Sequence, residues 1–173
     1  MGAVVYETGG ILINNGWLRI LGSGSSKLNR TLMEWNKGKS YKKGECTLPF
    51  LLIADDVMGG FYAINYGGIS IDPNSLRKVF YFSPDNLFWE PMDRGYGEFL
   101  EFCLNGDLND YYHSFYWDGW EKEIGKLNGS QGISCVPFLF LKEGKDVNKV
   151  SRKAVPIEDL WFLYQDLASQ LKK

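Results

Sequence analysis

The sequence is short of the residues that most chemistry needs. It has one histidine, His113, and three cysteines, Cys46, Cys103 and Cys135, among 173 residues. The cysteines are odd in number, widely scattered and never spaced as CxxC, which argues against a disulfide scaffold or a zinc site. Each reads best as a small buried hydrophobe. No basic run exceeds the pairs Lys42-Lys43 and Lys172-Lys173, and the formal net charge is -2. A general attraction to nucleic acid or anionic membrane is therefore not expected. No apolar run is long enough to span a bilayer and no secretory leader precedes the first apolar segment, so a soluble protein of the cytoplasm is expected. The phosphate-binding patterns GxxxxGK[ST] and GxGxxG are missing, as is the GxSxG of a nucleophile elbow.

What is abundant is apolar and aromatic. Hydrophobic residues make up 45% of the chain and aromatics 16%, with charged residues at 23%. This is the balance of a globular domain with a real core, and the aromatic excess fits either a core or a contact surface. No linker or internal repeat divides the chain, so a single domain over residues 1–173 is expected. Strands and helices do not alternate regularly, which favours α+β: a mainly antiparallel curved sheet with helices packed on one side.

Local signals support that reading. "AVVYE", "GILINN" and "WLRILGSG" look like short strands, and Asn14-Asn15-Gly16 marks a hairpin turn. Ser25 or Ser26 suits the N-cap of a helix containing Leu28, Leu32 and Trp35, with Gly38 after its end. "FLLIAD", apolar throughout, reads as a central strand, followed by "GFYAIN" and "KVFYFSP". Tyr96, Phe99, Leu100 and Cys103 form one helical face with Glu98 and Glu101 opposite. "DLNDYYHSFYWDGWEKEIGKL" is read as partly helical, and "CVPFLFLKEG" as a strand. The clearest helix starts after Pro156, with Ile157, Leu160, Trp161, Tyr164, Leu167, Ala168 and Leu171 on its apolar stripe. Phe162 falls off that stripe, as a contact for a further packed neighbour or an exposed docking residue.

Candidate chemistry is sparse. Asp55 and Asp56 precede Gly59-Gly60. On a strand, adjacent side chains diverge, so a shared metal or proton is disfavoured. A hairpin corner is the preferred reading, with catalysis, metal binding or partner contact as alternatives. "LGSGSS" is an ordinary capped loop or a weak anion site. His113 lacks an evident nucleophile or second ligand, although Asp107 and Asp110 stand close in sequence. Asp107, Asp110, Asp118 and Glu121 lie among Tyr111, Tyr112, Tyr116, Trp117 and Trp120. Acids beside rings would suit sugar hydrolysis or a protein contact surface, or simply a helix with rings inward and acids in solvent.

"LPFLLIADDVMGGFYAINYG", "VFYFSPDNLFWEPMDRGYGEFLEFCLNG" and the late "PFLF", with the N-terminal "MGAVVYETGGILINNGWLRILGSG", resemble an uncharacterised bacterial family known as a domain of unknown function. That resemblance implies a further N-terminal segment in its members. More distantly, the layout is similar to the SUKH superfamily of immunity proteins and cell-wall regulators. Leu48-Pro49 resembles its proline-led strand, Asp55-Asp56 through Gly59-Gly60 its acidic-glycine hairpin, and Gly97-Glu98-Phe99-Leu100 its closing helix. The long N-terminal hairpin and "YYHSFYWDGW" depart from that pattern. The resemblance implies a SUKH-like fold and brings no catalytic residues.

The expected function is non-catalytic binding of another protein, such as a toxin, with no cofactor, metal or nucleic acid and with a homodimer as a further option. The expected contact residues are Asp55, Asp56, Asp107, Asp110, Tyr111, Tyr112, Tyr116, Trp117 and Trp120. The alternative is a small hydrolase using aspartates beside the aromatics.

Overall fold

The computed structural model describes residues 1–41 and 49–171. Cys46, Leu48, both basic pairs and the latter part of the polar loop that follows Gly38 lie outside them. The fold is an α+β domain. Six strands form one antiparallel meander in chain order: β1 Gly10–Ile13, β2 Leu18–Leu21, β3 Phe50–Asp56, β4 Phe61–Asn65, β5 Val79–Phe82 and β6 Trp89–Pro91. Two more, β7 Gln131–Val136 and β8 Ser151–Pro156, pair as a separate ribbon. The helices are α1 Gly2–Thr8, α2 Leu32–Asn36, α3 Tyr96–Asn105, α4 Leu108–Tyr112, α5 Trp120–Ile124 and α6 Ile157–Leu171.

The β1–β2 hairpin turns where Asn14, Asn15 and Gly16 all adopt positive φ, a conformation these residue types tolerate best. β3 is buried along nearly its whole length, as expected of a central strand covered on both faces.

The helices, expected on one side, divide between the two faces. Phe61 and Tyr62 are strand neighbours and so point oppositely. Phe61 meets Trp35 of α2 and Trp161 of α6. Tyr62 meets Phe99 of α3 and Tyr112 of α4. Four elements that are all amphipathic cannot share one face of so narrow a sheet, and the sheet has large apolar residues on both.

Other local expectations shift. "AVVYE" is helical, not a strand: Gly9 in the left-handed region ends α1 there. No residue of α1 is buried. α2 starts later than expected. Its N-cap is Thr31, whose hydroxyl accepts from the Glu34 N–H, while Ser25 accepts from Leu28 N–H in the preceding loop. Gly38 has φ +79°, as suits the position after a helix end. β7 stops at Val136, before Pro137, which has no N–H to give. On α6, Ile157, Leu160, Trp161, Tyr164 and Ala168 are buried, whereas Phe162 is 54% exposed. No described helix is long and apolar enough to cross a membrane.

Cys103 and Cys135 are free and buried. Burial pushes the Cys103 thiol up to about 12 and the Cys135 thiol up to about 11. Both behave as inert core residues.

Candidate functional site

The two aspartates at the end of β3 are fully buried and serve different structures. Asp56 organises the turn into β4. Its Oδ1 accepts from the Met58 and Gly60 N–H groups, each at 2.9 Å, and its Oδ2 accepts from the Tyr81 hydroxyl at 2.8 Å. Gly59 takes φ +84°. A Cβ on Gly60 would lie 2.2 Å from Asp56 Oδ2 and 2.3 Å from the Tyr81 hydroxyl, so only glycine fits that close approach. Burial raises the Asp56 carboxyl above the usual range, opposed by the hydrogen bonds from Gly60, Tyr81 and Met58.

Behind Tyr81 lies a tyrosine cluster. Tyr62 stacks on Tyr81 with ring centroids 4.6 Å apart, and its hydroxyl shares a hydrogen bond with that of Tyr112. Burial raises Tyr62, Tyr81, Tyr111 and Tyr112 above the ordinary phenol value, so they act as neutral hydrogen-bonding groups.

Asp55 points to the other face. The β2–β3 register sets it opposite Arg19. Arg19 Nε lies 2.6 Å from Asp55 Oδ1. Arg30 grips the same carboxylate with Nη1 at 2.6 Å from Oδ2 and Nη2 at 3.1 Å from Oδ1. Arg19 also donates to the Gln131 and Asp56 carbonyls, and Arg30 to the Gly129 carbonyl. The cluster therefore ties the meander to the loop before β7. Arg30 also lies against the Trp35 ring, 4.4 Å from its centroid. Burial lowers the Arg19 value, with Asp55 acting in the opposite sense. Neither arginine was singled out from sequence. The available signal was Arg19 itself, a lone charge inside the apolar strand "WLRIL".

The acids and the histidine of the aromatic segment all lie at the surface. Asp107 is the N-cap of α4, its side chain accepting from Asp110 N–H at 2.9 Å. Asp110 sits in the first turn, and both are exposed. His113 is exposed, with Nδ1 2.6 Å from the Asp110 carbonyl oxygen. Among the described residues no group of three or more His, Cys, Asp or Glu is placed to hold a metal ion.

The nine residues expected to form one contact surface are thus split. Asp55, Asp56, Tyr112 and Trp117 are interior, each no more than 2% exposed, and present nothing to a partner. Asp107 and Asp110 are exposed, and Tyr111, Tyr116 and Trp120 are half-buried. Tyr116 and Trp120 stack face to face, 4.2 Å apart and 5° from parallel. Both set an edge or face against buried Trp17, at 4.6 and 5.1 Å. Tyr116 also accepts from the Asn14 amide at 3.3 Å, which ties the segment to the β1–β2 turn.

Residues 1–160 match the family described as "Protein of unknown function DUF2625". An uncharacterized protein of Haemophilus influenzae is 42% identical over 158 residues, covering 91% of this chain and 68% of that protein. The putative uncharacterized protein YbfG of Escherichia coli K12 is 38% identical over 161 residues, covering 93% of this chain and 70% of YbfG. No solved structure matches. The chain belongs to the DUF2625 family, bacterial proteins of unknown function.

Proposed function

We propose that the protein is a non-catalytic module that binds another protein, with Tyr111, Tyr116 and Trp120 as its aromatic contacts and Asp107 and Asp110 at the rim. The observation that carries this reading is the Tyr116–Trp120 stack, held rigid against Trp17 yet half-open to solvent. Rigid aromatic pairs lose little entropy on binding and favour contact surfaces. The acids beside them cap or start a helix, so the hydrolase alternative gains no support from their placement.

The resemblance to SUKH immunity proteins suggests the form of the activity: a cytoplasmic protein that occludes the working surface of a toxin. A second copy of the chain is the other protein this face would suit.

The test is affinity purification from a bacterial host carrying the native gene, comparing wild type with Tyr116→Ala/Trp120→Ala. A partner recovered by the wild type and lost by a folded double variant supports the reading. Equal recovery contradicts it. Light scattering on the same two proteins distinguishes a second copy from a foreign partner.

A further inference from the structure

A cleft of about 600 Å³ opens between the β1–β2 turn, the loop before α2 and the segment following α5. It includes Ser26 of "LGSGSS" and Arg19, the partner of Asp55, and its lining is chemically one-sided. Arg19 and Lys27 line it, with Ser26 and Asn128, and its apolar part comes from Leu12, Ile124 and Leu127. None of its described lining residues is Asp or Glu.

Arg19 is the central feature. It is only 1% exposed, yet it reaches the cleft. Its Nε faces Asp55, one Nη1 proton goes to the Gln131 carbonyl and one Nη2 proton to the Asp56 carbonyl. A guanidinium has five N–H donors, so two remain without a partner among the described residues. Arg19 and Arg30 share the carboxylate of Asp55, while the Asp56 carboxyl, which also acts on Arg19 through space, makes its hydrogen bonds on the opposite face and leaves those two N–H groups unpaired. Buried guanidinium N–H groups left without an acceptor are costly unless one approaches them. Arginine's planar fork matches carboxylate and phosphate oxygens, and the exposed Lys27 adds a second cation at the mouth. Apolar walls in a cleft of this size suit a body larger than a bare ion.

We propose that this cleft is a binding site for a small organic anion, its carboxylate or phosphate head held by Arg19 and Lys27 and its apolar body lying against Leu12, Ile124 and Leu127. None of the cleft's lining residues is among the proposed aromatic or rim contacts, so the two proposals are tested by different substitutions.

The experiment is titration of the labelled protein, followed by NMR, with benzoate, phenyl phosphate and benzyl alcohol. Either anion should saturate shifts at the Arg19 Nε–H and the Gly16, Asn128 and Gly129 amides, while benzyl alcohol should not. The relative strength of benzoate and phenyl phosphate identifies the preferred head group. The exposed Lys27→Glu variant, folded by its own spectrum, should bind about tenfold more weakly, as expected for loss of a charge-assisted contact. The proposal is overturned if neither anion saturates, if shifts cluster elsewhere, if benzyl alcohol binds equally, or if Lys27→Glu binds as the wild type does.

Discussion

Asp55 and Asp56 are chain neighbours with equal burial, yet they live in opposite environments. Asp55 is an ion-pair centre, gripped by Arg19 and Arg30 on the face covered by α2 and α6. Asp56 is a hydrogen-bond acceptor for turn amides and a tyrosine, on the face covered by α3 and α4. The strand pleat alone produces this divergence. The difference teaches that a pair of acids in sequence need not be a pair in space. One is a charge that balances charges, and the other is a shape that holds a corner.

That comparison can be broken at either residue. The largest effect is expected at Asp55→Asn, which leaves the buried Arg19 and the half-buried Arg30 guanidinium without the carboxylate they share. Urea unfolding should show a loss of about 3–5 kcal/mol. Asp56→Ala should cost less, about 1–3 kcal/mol, because it strands buried donors rather than charges.

Asp56 also carries a pH dependence. The folded Asp56 carboxyl is raised above its unfolded value. Its stabilising contribution is therefore complete below the unfolded aspartate range and fades as pH rises through the raised folded value. Unfolding midpoints across that window should fall more in the wild type than in Asp56→Asn.

On the same face, Tyr62→Phe removes one hydroxyl of the Tyr62–Tyr112 pair and should cost about 1 kcal/mol, with little further loss in the Tyr62→Phe/Tyr112→Phe double variant. The smallest effect is expected on the other face at Phe162→Ser. Its ring is more than half exposed and is touched by the Lys39 ammonium at 5.5 Å, so the change should stay within about 0.5 kcal/mol by thermal melt.

Much of the fold was legible because local rules were strong. Asn14-Asn15-Gly16 could hardly be anything but a turn, the apolar run into Asp55 is a central strand, and the stripe on α6 names its buried face. Glycine at 59 and 60 marked the corner correctly. The failures have physical causes. Val4 and Val5 suggested a strand, but the chain ends that segment as a helix with Gly9 in the left-handed region. The helix expected from Leu28 begins only after Thr31, the residue whose hydroxyl meets its N3 amide.

The site was less legible than the fold. Spacing in the aromatic segment could not tell Tyr112 and Trp117, which complete the core, from Tyr116 and Trp120, which reach its surface. The arginine cluster depends on cross-strand register and on a loop more than a hundred positions from Arg19, so no local pattern announces it. Only the isolated charge in "WLRIL" hinted that the strand was hiding a partner.

The most direct measurement compares urea unfolding of Asp55→Asn with that of Arg19→Met. Removing Asp55 leaves two cations unbalanced, whereas removing Arg19 leaves an intact Arg30–Asp55 pair and strands only two carbonyls. The expected result is a clearly larger loss for Asp55→Asn, against about 1–3 kcal/mol for Arg19→Met. An Asp55→Asn protein as stable as the wild type or more so, as when a strained catalytic acid is neutralised, or an Arg19→Met loss that equals or exceeds it, would contradict a structural Asp55 shared by two arginines.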